Sequence, residues 1–175
     1  KGDRICFYMS MVPELLIGVL ACARIGAVHS VVFGGFSAKA LADRINDCQA
    51  KLLVTNDGGH RGDKLIPLKD ICDEALKSCT TVEKVLVHFR ANNEIKWDSQ
   101  RDVNWEEVVP TQSTECAAEV MDAEDPLFIL YTSGSTGKPK GLVHTCAGYM
   151  VYAQYSFENV FQMQEDSDIF WCSAD

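Results

Sequence analysis

The residues best equipped for chemistry stand together at positions 132–141, which read TSGSTGKPKG. Gly134, Gly137 and Gly141 let the backbone turn tightly and approach a ligand. The hydroxyls of Thr132, Ser133, Ser135 and Thr136, with the free amides, make a set of donors, and Lys138 and Lys140 add positive charge. Donors and charge gathered on one short loop suit an anion, phosphate above all. This is not a Walker A loop, because Pro139 follows Gly137-Lys138 where Ser or Thr is required, and the first glycine is missing. It is not a nucleophile elbow either, since Ser133 rather than glycine stands two places before Ser135. The flanks favour an anion as well: residues 126–157 contain no acid, although the 175-residue chain carries a net charge of −9.

Such a loop needs rigid elements on both sides. Residues 127–131 (LFILY) read as an apolar strand, and residues 142–160 as a well-buried helix. A joint from strand to helix is where an open α/β sheet binds ligands and where a helix N-terminus favours phosphate. Upstream, residues 4–9 read as a strand, residues 13–24 as a helix opened by Pro13 and closed by Gly26, and residues 27–33 as a buried strand. Ser37 offers an N-cap for a helix over residues 38–48. Residues 51–55 read as a strand, 56–64 as a glycine-rich loop, 67–78 as a helix, 82–89 as a strand, and 168–172 as the start of another. Alternating strands and helices predict an α/β fold, a mostly parallel sheet with flanking helices.

Charge divides the chain. Residues 91–125 hold ten acids and two bases, with Trp97 and Trp105 interleaved among polar residues, and read as an acidic surface excursion. The division is therefore βα units over 1–90, the excursion over 91–125, and a strand, the phosphate loop, a helix and a strand over 126–175. An acidic chain without a basic stripe argues against nucleic acid as a partner. No apolar run approaches the ~20 residues of a membrane span. Eight scattered cysteines without a Cys-x-x-Cys pair read as free thiols of a reducing compartment, the cytoplasm. His29 and His88 fall in strand-like runs and read as sheet histidines rather than catalytic ones. Taken alone, Arg61 and Lys64 are solvated loop charges and Gly34-Gly35 a turn.

The TSGSTGKPKG loop resembles the signature of the adenylate-forming superfamily. The longer runs DAEDPLFILYTSGSTGKPKGLVHTCAGYMVY, ACARIGAVHSVVFGGFSAKALADRI and DIFWCSAD are similar to the acetyl-CoA synthetase family within it. The resemblance covers nearly the whole chain, and it implies part of the large N-terminal domain of an AMP-forming acid–thiol ligase. In such an enzyme acetate attacks the α-phosphorus of ATP, and coenzyme A then displaces AMP. By resemblance, Thr132, Ser133, Gly134, Ser135, Thr136, Gly137, Lys138 and Lys140 bind the ATP phosphates, with Lys140 catalytic. Pro139 restricts Lys138 to extended conformations, which leaves Lys140 the better placed to meet them. A second implied site, for the 3′-phosphate end of coenzyme A, takes Phe33, Gly34, Gly35, Arg61, Lys64 and Ile66. Lys64 stands where relatives often have arginine, and loses the bidentate fork. The resemblance further implies Mg²⁺, with no ligand for it in this sequence, and the remaining C-terminal part of the same enzyme as a partner. The chain opens on Lys rather than Met and stops just after an expected strand, as a piece of a longer enzyme would. Alternatives are a propionate- or acetoacetate-specific ligase and a non-catalytic module that binds nucleotide or coenzyme A.

Overall fold

The structure, a computed structural model, describes residues 1–132, 139–164 and 166–172. Nine strands and five α-helices are described: β1 (Arg4–Tyr8), α1 (Pro13–Arg24), β2 (Val28–Val31), α2 (Ala38–Cys48), β3 (Leu52–Asn56), β4 (Gly59–Arg61), β5 (Lys64–Ile66), α3 (Leu68–Leu76), β6 (Lys84–His88), β7 (Asp102–Asn104), α4 (Trp105–Val108), β8 (Pro126–Thr132), β9 (Lys140–Thr145) and α5 (Cys146–Tyr155). Seven strands form one sheet in the order β7-β6-β3-β1-β2-β8-β9. Every pairing in it is parallel except β8 with β9. The expected α/β class, with a mostly parallel sheet and flanking helices, is what the chain adopts.

Strand β1 is central because both its faces are apolar. Cys6 and Tyr8 turn toward the layer of α2 and α3, where they join Leu41, Ile45, Leu53, Leu68 and Val85. Phe7 and Met9 turn to the other face, against Leu15 and Cys22 of α1. The chain leaves β1 for β2 on one side and returns to β3 on the other. Such a reversal opens a crevice at the carboxyl ends of the strands. Local sequence agrees with this path. Pro13 occupies the first turn of α1, and Gly26 takes φ +68 just beyond its end. The Ser37 side chain accepts the Ala40 amide at 3.3 Å to cap α2, which ends where Gln49 turns left-handed.

Four expectations are corrected. The glycine-rich stretch after β3 is an antiparallel hairpin, β4–β5, that pairs His60 with Leu65 and Arg61 with Lys64. The acidic stretch supplies an edge strand, β7, and the Asp102 side chain is fully buried in an ion pair with Lys69. Residues 142–160 are not one helix. Lys140–Thr145 forms β9, the extended Thr145 then starts α5, and Ser156–Val160 continues as a π-turn. A short apolar run does not separate buried strand from buried helix by periodicity; here the open edge of β8 offers backbone groups that β9 satisfies. No residue of α5 is buried, and Met150, Val151 and Tyr152 are exposed. Residues 168–172 form no strand among the described residues.

Candidate functional site

The expected phosphate loop falls between two paired antiparallel strands, β8 and β9, and not between a strand and a helix. Thr132, the last residue of β8, pairs with Lys140, the first of β9. Ser133, Gly134, Ser135, Thr136, Gly137 and Lys138 lie outside the described residues. Lys140 is exposed at the hairpin root, and α5 begins only at Cys146. The helix N-terminus expected to support an anion is therefore not beside Lys140.

The residues expected at the second site do gather. The turn after β2 carries Phe33, Gly34, Gly35 and Phe36, whose two rings meet edge to face at 5.8 Å. A side chain at Gly34 would begin 2.9 Å from the Met9 carbonyl oxygen, so only glycine lets this turn lie against the end of β1. Arg61 extends from β4 with its guanidinium 5.6 Å from the centre of the Phe33 ring. Lys64 stands directly opposite Arg61 across the hairpin, and both are exposed. The two-residue turn is Gly62-Asp63, and Gly62 takes φ +58, as a tight hairpin turn that opens on glycine requires. Ile66, the last residue of β5, is half-buried and packs against the core cluster.

Three supporting residues were not legible as such in the sequence. Asp57, fully buried at the end of β3, accepts the amides of Gly58 (2.7 Å), Arg90 (2.7 Å), Ala91 (3.0 Å) and Asn93 (3.2 Å). It thereby ties the chain after β6 to the root of the β4–β5 hairpin. Tyr8 donates its hydroxyl to the Phe36 carbonyl oxygen at 2.6 Å, and burial pushes that phenol well above its ordinary pKa. Asn56 accepts the Ser10 amide at 2.9 Å and donates to His88 Nδ1 at 2.8 Å, which locks the ends of β1, β3 and β6 together. The only sequence signal for any of them is polarity at the carboxyl end of an apolar strand.

The titratable groups of the core serve structure. His29 is buried, stacks on Phe128 at 5.3 Å, and has no hydrogen-bond partner at Nδ1. Burial lowers its pKa to about 4, so it is neutral at physiological pH. The Cys22 and Cys72 thiols are pushed up to about 12 by burial. All eight cysteines are free. Among the described residues no three His, Cys, Asp or Glu side chains are grouped to hold a metal ion. The magnesium implied by the resemblance has no such group among these residues. None of the described helices is long and apolar enough to cross a membrane.

A mostly parallel sheet with helices packed on both faces is an open α/β architecture, and residues 1–175 match the AMP-binding enzyme family. The chain belongs to that family. It is 56% identical to the acetyl-coenzyme A synthetase of Marinomonas sp. (strain MWYL1) and 57% identical to that of Pasteurella multocida (strain Pm70). In both cases the match covers 100% of this chain and 27% of the relative. The chain therefore spans about a quarter of the length of these relatives. The solved structure of acetoacetyl-CoA synthetase from Streptomyces lividans superposes with a TM-score of 0.84 and 26% identity, over 93% of this chain and 24% of the other.

Proposed function

We propose that this chain is part of an acetate–CoA ligase that uses ATP and coenzyme A as substrates. The observation that carries the reading is identity of 52–57% across the whole chain to acetyl-coenzyme A synthetases. In the first step an acetate oxygen bonds to the α-phosphorus of ATP and pyrophosphate leaves with the pair of electrons of the broken P–O bond. In the second, the coenzyme A thiol, losing its proton, bonds to the acetyl carbon and AMP departs. Residues 132–138 and Lys140 stabilise the charge that develops on the β- and γ-phosphates, a task that is mainly electrostatic. Arg61 and Lys64, facing one another beside the Phe33 ring, take the 3′-phosphate of coenzyme A. Magnesium, the acyl pocket and the catalytic groups of the second step belong to the part of the enzyme beyond this chain. Free thiols held protonated by burial suit a reducing compartment, and we assign the enzyme to the cytoplasm.

A second reading, an acetoacetate-specific ligase, draws on the likeness to the Streptomyces lividans enzyme. Its identity of 26% against 56% for the Marinomonas relative favours acetate. Comparison of kcat/KM for acetate, propionate and acetoacetate in the full-length protein decides between them. Acetate is expected to be preferred at least tenfold; preference for either other acid overturns the assignment.

A further inference from the structure

Resting on the ligase reading, we propose that Arg44 is a positioning residue that ties the hairpin of the phosphate loop to the Phe33–Phe36 turn, so that the ATP and coenzyme A sites are held by one side chain of α2. Arg44 lies on the face of α2 toward the sheet and is 9% exposed. Its Nη1 donates to the Ala40 carbonyl oxygen one turn back at 2.7 Å, which fixes the guanidinium against the helix. The guanidinium carbon is 4.7 Å from the centre of the Phe36 ring and 5.6 Å from that of Tyr131. Phe36 closes the turn after β2, and Tyr131 directly precedes Thr132 at the root of the phosphate hairpin.

Each ring is also held from another side. Tyr131 donates its hydroxyl to Asp47 Oδ2, one turn further along α2, at 2.6 Å. A side chain at Gly141 would begin 3.0 Å from the Tyr131 ring, so glycine there lets the ring lie across β9. Phe36 is anchored through its carbonyl oxygen by Tyr8. Among the described residues no carboxylate pairs with Arg44, and two aromatic faces take the place of a counter-ion. An arginine that only filled space would be replaced equally well by an apolar residue of its length. Here the cation attracts two rings at once, and each ring belongs to a different ligand loop.

The test uses the full-length protein with Arg44→Met, which keeps length and removes charge, and Arg44→Lys, which keeps the cation. Tyr131→Phe keeps the ring and removes the hydroxyl bond to Asp47, and Lys39→Met on the exposed side of α2 is the control. Read together are the single-turnover rate of acetyl-adenylate formation, the KM for coenzyme A starting from pre-formed acetyl-adenylate, and the KM for acetate. Amide hydrogen exchange is followed at residues 35–37 and 140–142. Arg44→Met is expected to slow adenylation and raise the KM for coenzyme A by roughly 5- to 30-fold each, the loss of two cation–ring contacts. The acetate KM should stay within about twofold, and exchange should quicken in both segments. Arg44→Lys should recover at least half of each loss on a logarithmic scale, which a space-filling role does not predict. Tyr131→Phe should slow adenylation alone. Equal behaviour of the Met and Lys variants, or impairment of only one half-reaction by Arg44→Met, overturns the proposal. If the wild type proves not to be a ligase, the exchange data still decide: faster exchange in both segments upholds the tie, and unchanged exchange in either refutes it.

Discussion

Replacing Lys69 with Met strands a buried carboxylate. Lys69 Nζ lies 2.8 Å from Asp102 Oδ2, and both side chains are fully buried. The same ammonium bonds Asp73 at 2.9 Å and the Lys96 carbonyl oxygen at 3.1 Å, so α3 is fastened at one point to β7 and the segment before it. Removing one partner of such a pair destabilises by about 3–5 kcal/mol, because the other charge stays buried. Arg101 remains, holding Asp102 Oδ1 at 2.8 Å and Asp73 Oδ1 at 2.6 Å, so the expected loss is at the lower end, about 3 kcal/mol. The pH dependence gives an independent check. Burial works against the charge on Asp102, but hydrogen bonds from Arg101, the Asp98 amide and Lys69 outweigh it and hold the carboxyl below the usual carboxylate range. A depressed folded-state pKa adds stability above the unfolded value near 4, and that stability is lost as pH falls through the folded value. Without Lys69 the carboxyl rises toward or above its unfolded value, so the acid limb shrinks or reverses and the destabilisation is larger at pH 7 than at lower pH. Urea unfolding of the full-length protein at pH 7 and pH 5 measures both effects, and the double variant Lys69→Met/Asp102→Asn should regain at least 1 kcal/mol, since no charge is then stranded. A loss under 1 kcal/mol at pH 7 with an unmoved acid limb would refute the argument.

Other expectations bear on the sites and the core. Arg61→Ala should raise the KM for coenzyme A roughly 10- to 150-fold, the worth of one charge-assisted contact, and leave the acetate KM unchanged. Dephospho-CoA, which lacks the 3′-phosphate, should erase the difference; a persisting difference removes Arg61 from that phosphate. Lys140→Ala should slow adenylation about 10²–10³-fold and more than Lys138→Ala does, with the second half-reaction spared, as single-turnover rates of the two steps will reveal. His29 binds its proton less readily folded than unfolded, so stability should decline as pH falls from about 6.5 toward 4, by at most about 3 kcal/mol. His29→Phe keeps a ring on Phe128 and should flatten that decline, and a thermal-unfolding series against pH that is unchanged in the variant would exclude His29 as its source.

Much of the fold was legible because its signals are local. Pro13, Ser37 and Gly26 mark helix ends by backbone geometry, and α2 falls on the residues 38–48 that its cap predicts. The short apolar runs of β1, β2, β3 and β6, each bounded by turn or helix-end signals, read as buried strands. What escaped depends on partners distant in sequence. Leu142 and Val143 could belong to a helix until β8 is seen to offer an open edge. Asp102 reads as one acid among ten, and only the arrival of Lys69 makes it a core residue. Asp57 was hidden for the same reason: the four amides it accepts come from Gly58 beside it and from a segment more than thirty positions away. Arg61 and Lys64 were visible as charges, but their opposition across a hairpin required the turn at Gly62-Asp63 to be recognised as such.

The measurement that bears most directly on the proposed function is exchange of labelled pyrophosphate into ATP by the full-length protein, with coenzyme A left out. On the proposed reading, formation of acetyl-adenylate is reversible and does not involve coenzyme A, so the label should enter ATP when acetate is supplied and not when it is omitted. Lys140→Ala should depress that exchange by about 10²-fold or more, while Arg61→Ala should leave it intact, because coenzyme A takes no part in the step. Absence of acetate-dependent exchange in the wild type, or equal loss in both variants, would contradict the division of the two sites and the ligase assignment with it.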